Sequence, residues 1–537
     1  MARPFWVGIR TDDRYPVPMD TLILQFETPA PPTGEAARSA ISVPPISAND
    51  LGTAFTDVAR AYPDRTAFEI KAGVYSYGWL LRAAQSVERY LRSRPGYRAG
   101  ARVALRLPNS PEYAAAFYGI LLADCVVVPL PAQLERYRWQ QIVEQCGPDV
   151  VILGRAQIED GDTSPVTALA LSDAADAIVS SAPSRRDNDL AVLLFTSGST
   201  GVPKGVMLSH RNLLANAASI LQDLPIRADD KALVLIPFCH SFGNSILQTH
   251  MLAGAAIAMG GTLMFPASIV EAIAQFRATS FSGVPEVYGM LLKYGKLGDT
   301  PLPSLRYMSV AGGQLRPDLA ADVASRIAPA TFHVMYGQSE ASPRLASLSP
   351  DQLALRRGSI GKPLHGVTLA IKDETGRDLP PGESGMLCAR GDNIMLGYWR
   401  DDATTAEVLS KDGWLRTGDM AHRDADGYFY IDGRANLLVK VQGHRVHPAE
   451  IEGVVEALFP QTKAVALPML RGDETRFALF LASQDERAID VADVRAACMR
   501  DLPSYKVPVH FEILERLPLN SAYKVDRAAL KLRLPPA

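Results

Sequence analysis

From Asp50 onward, short runs of β-branched residues alternate with stretches rich in alanine and leucine. Residues 103–107 precede 112–122. Residues 190–195 precede 212–221, where Leu213, Leu214, Ala217, Ile220 and Leu221 recur at helical spacing. Strands alternating with helices of this length predict an α/β fold, a large domain of mostly parallel sheets and helices over residues 46–435. Residues 1–45 carry the proline-rich segments TPAPPTG and SVPPIS with no sustained periodicity, and read as an N-terminal extension, with Met19 a second candidate start. The pattern shifts again at Gly433-Arg-Ala-Asn436. Beyond it, residues 436–537 read as a small α+β domain, with a helix beginning around 447–450.

Composition narrows the class. A length of 537 residues exceeds what one hydrophobic core usually serves. Lys+Arg 55 against Asp+Glu 58 gives no electrostatic reason to expect nucleic acid as a partner, and Arg92, Arg94, Arg98 and Arg102 read as a solvated cluster. Cys125, Cys146, Cys239, Cys388 and Cys498 are scattered, with no metal spacing, which suits free thiols in a cytoplasmic protein. The most apolar stretch, residues 251–265, is too short to span a bilayer and reads as a buried strand and turn.

The richest chemistry lies in Thr196-Ser-Gly-Ser-Thr-Gly-Val-Pro-Lys-Gly205, between a predicted buried strand and a helix capped by Ser209. Gly198, Gly201 and Gly205 allow close backbone approach and positive φ. Thr196, Ser197, Ser199 and Thr200 offer hydroxyls, and Lys204 a cation; together they suit a polyphosphate. A Walker loop needs Gly-Lys-Ser/Thr, whereas Lys204 sits between Pro203 and Gly205. This loop resembles the phosphate-binding signature of the adenylate-forming superfamily, which holds acyl-CoA synthetases, free-standing adenylation domains and luciferase. The remaining motifs follow in that family's order over about residues 50–530.

The resemblance implies a role for each. In Tyr336-Gly-Gln-Ser-Glu340, Tyr336 and Gly337 belong to the adenine site, Ser339 reaches a phosphate and Glu340 helps to hold Mg²⁺; serine stands where the family usually has threonine. Gly312 and Gly313 lie beside adenine. Asp419 in Leu415-Arg-Thr-Gly-Asp419 accepts from the ribose hydroxyls, with Arg434 a second contact. Lys524 is the adenylation lysine, preceded by Tyr523 where glycine is usual. Gly443 lies in a loop that the small domain brings in for thioester formation, and Asn436 falls at a hinge about which that domain rotates.

By the same resemblance, the segment Pro237-Phe-Cys-His-Ser-Phe-Gly243 should line the acid pocket, with His240 closing it near the reacting carboxylate. Ser241 stands where amino-acid-activating relatives place an aspartate, which favours an aryl or alkyl acid without a free α-amino group. Gly283, Val284, Pro285 and Gly312 are further wall positions. The resemblance thus implies ATP, Mg²⁺ and a carboxylic acid, with coenzyme A or a carrier-protein phosphopantetheine as the thiol. A luciferase-like oxygenase shares every nucleotide motif. An inactive acyl or nucleotide sensor would have lost Lys524 or Glu340, and both are present.

Overall fold

The structure, a computed structural model, describes residues 20–26, 48–134, 136–154, 166–171, 189–197, 203–435, 439–441, 444–446, 448–459, 462–471, 474–483, 490–520 and 524–535. The alternating pattern becomes two large sheets with helices packed between and around them. One sheet has eight strands. Its inner strands, Leu190–Ser197, Val126–Pro129, Arg102–Arg106 and Val150–Leu153, pair in parallel, as strands joined by helical crossovers must. The other has thirteen strands. A parallel run from Thr66–Ile70 to Thr331–Gly337 continues into an antiparallel flank that ends at Val367–Lys372.

The expectation for residues 1–45 needs correcting. Asp20–Phe26 is a strand inside the eight-stranded sheet, pairing in parallel with Val150–Leu153 on one side and Val166–Leu171 on the other. Seven residues between proline-rich flanks carry too short a pattern to stand out locally, and the partner strands are far away in sequence. Residues 251–265 are also more varied than expected. They complete the helix Ser241–Ala253, turn at Gly254 with φ +72°, and form the strand Ala256–Met259. The arginine cluster is not simply solvated. Arg92 is tied to Glu88, Asp124 and the Leu122 carbonyl, and Arg102 to Asp149 and the face of Trp399.

Tyr77, Tyr113, Phe117, Tyr118 and Phe238 anchor the main core between the sheets. The chain after residue 438 has its own cores. One gathers Val441, Ile451, Val455, Phe477 and Cys498; the other gathers Val465, Leu467, Phe480 and Leu530. These lie on the two faces of a three-stranded sheet, Thr462–Arg471, Glu474–Ser483 and His510–Leu514, whose middle strand alternates Phe477 and Leu479 with Ala478 and Phe480. All five cysteines are buried free thiols. No helix among the described residues is long and apolar enough to cross a membrane.

Candidate active site

The phosphate segment is built on a hairpin. Leu190–Ser197 pairs antiparallel with Pro203–Ser209, which sets Thr196 opposite Lys204. A strand therefore follows the loop, where a direct passage into a helix was expected. Ser209 then caps His210–Asp223, its hydroxyl accepting from the Asn212 amide while the Asn212 side chain accepts from the Ser209 amide. Gly205 departs from its expected role. It has no positive φ, and a Cβ there would meet Leu193 and Trp399 at 3.0 and 3.1 Å, so packing accounts for it. Gly198, Ser199, Thr200 and Gly201 lie outside the described residues, as do Asn436, Gly443 and Tyr523; of Ser197 only the backbone is described.

The strand Gly397–Tyr398 docks on Pro203–Ser209 and carries a residue that the motifs did not reveal. The Lys204 ammonium lies 5.2 Å from the Tyr398 ring centre, and the Tyr398 hydroxyl donates to Glu340 at 2.9 Å. Burial, reinforced by Glu340, pushes the Tyr398 phenol well above its ordinary value, so it remains a donor. Glu340 is thus oriented from the far side of the hairpin. Among the described residues no group of three or more His, Cys, Asp or Glu side chains could hold a metal alone. A single carboxylate suits Mg²⁺, which commonly takes one or two protein carboxylates and completes its shell with phosphates and water.

Tyr336 ends the strand Thr331–Gly337, and its hydroxyl donates to Asp419. Asp419 and Arg434 are cross-strand partners, with Arg434 Nε 2.7 Å from the Asp419 carboxylate. Strand register sets Asp419 beside Arg434, and the Tyr336 hydroxyl bond completes the trio expected at adenine and ribose. Gly337 is accounted for by backbone contact, since a Cβ there would lie 1.8 Å from the Pro343 carbonyl oxygen. The Ser339 hydroxyl, expected at a phosphate, is 2.9 Å from that of Ser241. This contact joins the expected phosphate and acid sites.

His240 is the N-cap residue of Ser241–Ala253, and its side chain makes no capping bond. Val284 is buried at the N-cap of Pro285–Lys293. Gly283 is buried against the Tyr288 ring, 3.1 Å from where its Cβ would be, which again reads as packing. Gly312 has φ +89°; Gly313 next to it does not have positive φ.

Lys524 comes from the small domain. A tight turn holds it: its amide donates to Asn520 Oδ1 at 3.1 Å, and its carbonyl accepts from the Asn520 amide at 2.8 Å. The residue is exposed overall, but its far end reaches the large domain. A Cβ on Gly312 would be 3.2 Å from Lys524 Cε, 3.5 Å from Nζ and 3.5 Å from Val284. Burial of that end, with Arg434 nearby, holds the ammonium below its ordinary value; Glu286, Asp419 and Glu340 push the other way. Glu286 is a second residue the motifs did not reveal. It sits in the first turn of Pro285–Lys293, with Oε2 buried and without a hydrogen-bond partner, 3.6 Å from where a Gly313 Cβ would be. Burial pushes its carboxyl above the usual range, while Lys463 and Lys524 pull it down.

A cavity of about 480 Å³ also opens between the domains, walled by Met264, Phe265 and Met290 on one side and Leu517, Leu519 and Val525 on the other. Pro285 of the expected acid-pocket wall lines it, whereas His240, Ser241, Gly283, Val284 and Gly312 do not.

The family model described as AMP-binding enzyme matches residues 55–399. A feruloyl-CoA synthase from Amycolatopsis sp is 32% identical over 88% of this chain and 97% of its own length. A long-chain-fatty-acid–CoA ligase from Salmonella typhimurium is 30% identical over 89% and 93%. The ATP-bound crystal structure of MatB from Rhodopseudomonas palustris covers 90% of this chain and 98% of its own at a TM-score of 0.79 and 27% identity. With the match running through the phosphate hairpin, the Tyr336–Glu340 segment and both large sheets, the chain belongs to the AMP-binding family of adenylate-forming enzymes.

Proposed function

We propose that this protein activates a carboxylic acid with ATP, releasing pyrophosphate, and passes the acyl group of the resulting adenylate to the thiol of coenzyme A. The observation that carries this reading is the position of Lys524: an ammonium supplied by the small domain lies over Gly312, within electrostatic reach of Asp419, Arg434 and Glu340 of the large domain. Residues 46–435 serve as the ATP- and acid-binding domain, and 436–537 as the domain that delivers the lysine.

In the first half-reaction an acid oxygen attacks the α-phosphorus and pyrophosphate departs. Asp419 and Arg434 hold the ribose, the former as a paired acceptor for two vicinal hydroxyls. Tyr336 and the flat surface at Gly312 and Gly313 meet the adenine. Lys204, Thr196 and the loop that follows hold the outgoing phosphates. Lys524 places its charge where negative charge grows between acid and α-phosphate, an interaction strongest in the transition state. Mg²⁺, when bound at Glu340, neutralises phosphate charge. His240 closes the acid side, and Ser241, offering no carboxylate, gives no partner to an α-ammonium.

CoA as acceptor is supported by the relatives' names, feruloyl-CoA synthase, long-chain-fatty-acid–CoA ligase and sulfoacetate–CoA ligase among them. Five buried free thiols suit a reducing, cytoplasmic setting. A panel of carboxylic acids assayed for pyrophosphate release and for CoA consumption tests the proposal. Release that depends on one class of acid, with CoA acylated, is expected. Adenylate formed without acylation of free CoA points to a carrier-protein phosphopantetheine instead, and no acid-dependent release overturns the reading.

A further inference from the structure

Arg344 opens the strand Arg344–Leu348, just beyond the Tyr336–Glu340 segment. It is only 4% exposed, and its guanidinium carbon lies 4.0 Å from the centre of the Phe242 ring. Phe242 follows Ser241 on the helix that starts at the acid site, and the Ser241 hydroxyl is bonded to Ser339. Two contacts therefore clamp the same pair of segments, Ser241 to Ser339 and Phe242 to Arg344.

What sets Arg344 apart is the lack of a counter-charge. Arg92 meets Glu88 and Asp124, Arg306 meets Asp230, and Arg527 meets Glu452. Among the described residues no carboxylate or carbonyl meets the Arg344 guanidinium, and its Nε has no hydrogen-bond partner. The Phe242 face covers one side of the plane and cannot satisfy the in-plane Nε–H, which has no partner. The backbone cannot swing the side chain away. The Asn216 side chain accepts from the Arg344 backbone amide and donates to its carbonyl, which also accepts from the Asn393 side chain. Burial pulls the guanidinium down to about 9, so it remains a cation at neutral pH. A buried cation with no counter-charge is poised for an anion, because a two-pronged guanidinium–carboxylate pair offsets the desolvation already incurred.

We infer that Arg344 recognises a second, distal carboxylate on the acid, making the preferred substrate a dicarboxylic acid. The inference rests on the reading of His240–Phe242 as the acid site. Placing the anion on the acid follows from position: Arg344 packs on Phe242, next to Ser241 and His240, whereas Lys204 serves the phosphate hairpin. No bond is made or broken at the distal group. It stays ionised while the other carboxylate becomes the adenylate, and a monocarboxylic acid leaves the guanidinium unmet.

The test compares kcat/KM for chain-matched pairs, glutarate with valerate and adipate with hexanoate, in the wild-type protein and in Arg344→Met and Arg344→Lys. The wild type should favour the diacid by about 10²-fold or more, as expected where a buried polar group loses its partner in the analogue. Arg344→Met should collapse that ratio toward one or below. Arg344→Lys should retain only part of it, since an ammonium cannot pair in the two-pronged way. A wild-type preference for the monoacid, or no preference, overturns the inference whether or not a variant folds, and so does an equal loss on both acids in Arg344→Met. Monoacids activated without diacid preference defeat this inference alone. Acid-independent behaviour throughout defeats the proposed function.

Discussion

Lys524 arrives in the large domain with Glu286, Asp419 and Glu340 drawing its charge in and Arg434 opposing it. Lys524→Ala is expected to lower acyl-adenylate formation by about 10²–10³-fold, the usual loss for one charge-stabilising group, while acyl transfer from supplied acyl-AMP survives. ATP–pyrophosphate exchange and single-turnover thioester formation read the two steps separately. The depressed lysine also fixes the sign of a pH effect. A cation whose value is lowered loses its proton at lower pH than an ordinary lysine, so adenylation should fall on the alkaline side before pH 10.5 is reached. Glu286 supports the charged form, so Glu286→Gln should move that alkaline limb to still lower pH. A limb unchanged by the substitution would separate Glu286 from the lysine. Neither Glu286 nor Tyr398 belongs to a motif quoted from the sequence: a glutamate after proline reads as an ordinary first-turn residue of a helix, and Tyr398 reads as part of a turn-rich stretch. Their relevance appears only when Gly313 and Glu340 are placed beside them.

At the scale of elements, the motifs are junctions where strand register does the assembling. Asp419 and Arg434 are cross-strand partners; Thr196 and Lys204 are opposite each other across a hairpin. Glycines at these junctions divide into two kinds. Gly312 has a left-handed φ and faces Lys524, whereas Gly337 and Gly205 are crowded by their own protein. Gly337→Ala is therefore expected to destabilise, since a methyl cannot share space with the Pro343 carbonyl. The cost should be about 1–3 kcal/mol or more, with adenylation lost through displacement of Tyr336 and Ser339. Urea unfolding checks the first part and pyrophosphate exchange the second. A variant of unchanged stability would show that the backbone at 337 has room to move. The sequence spoke clearly about the helix cap at Ser209, because a capping box is a local arrangement. It was silent about the strand Pro203–Ser209, because a hairpin requires the partner strand to be known.

At the scale of the molecule, the separate cores on either side of residues 435–439 leave two bodies whose main shared chemistry is the lysine turn at the Gly312 surface. On the proposed function, the thiol must reach the same adenylate that Lys524 helps to form, which calls for the lysine turn to withdraw before transfer. The chain between the bodies passes through Asn436. Asn436→Pro is expected to leave adenylation largely intact and slow transfer to CoA by about 10-fold or more, because proline fixes φ and resists the rotation a hinge must absorb. Pre-steady-state measurement of both half-reactions decides it. An equal fall in both would make position 436 structural.

By itself, the sequence determined the class of fold and the nucleotide chemistry. Alternating strand and helix patterns are local and periodic; Thr196–Gly205 is a contiguous segment whose chemistry can be read from its own residues, and Tyr336–Glu340, Leu415–Asp419 and the lysine segment become readable through their resemblance to the adenylate-forming family. Only the tertiary structure decided that Asp20–Phe26 is an interior strand, that Gly205 and Gly337 serve packing, and that Glu286 and Tyr398 accompany the motif residues. It alone showed Arg344 to be a buried cation without a counter-charge. Pairing, crowding and charge compensation are relations between residues that need not be neighbours in the chain, from Gly337 and Pro343 in one loop to Asp20–Phe26 and its distant partner strands. No local pattern encodes them, and they exist only once the backbone has brought the partners within a few ångströms.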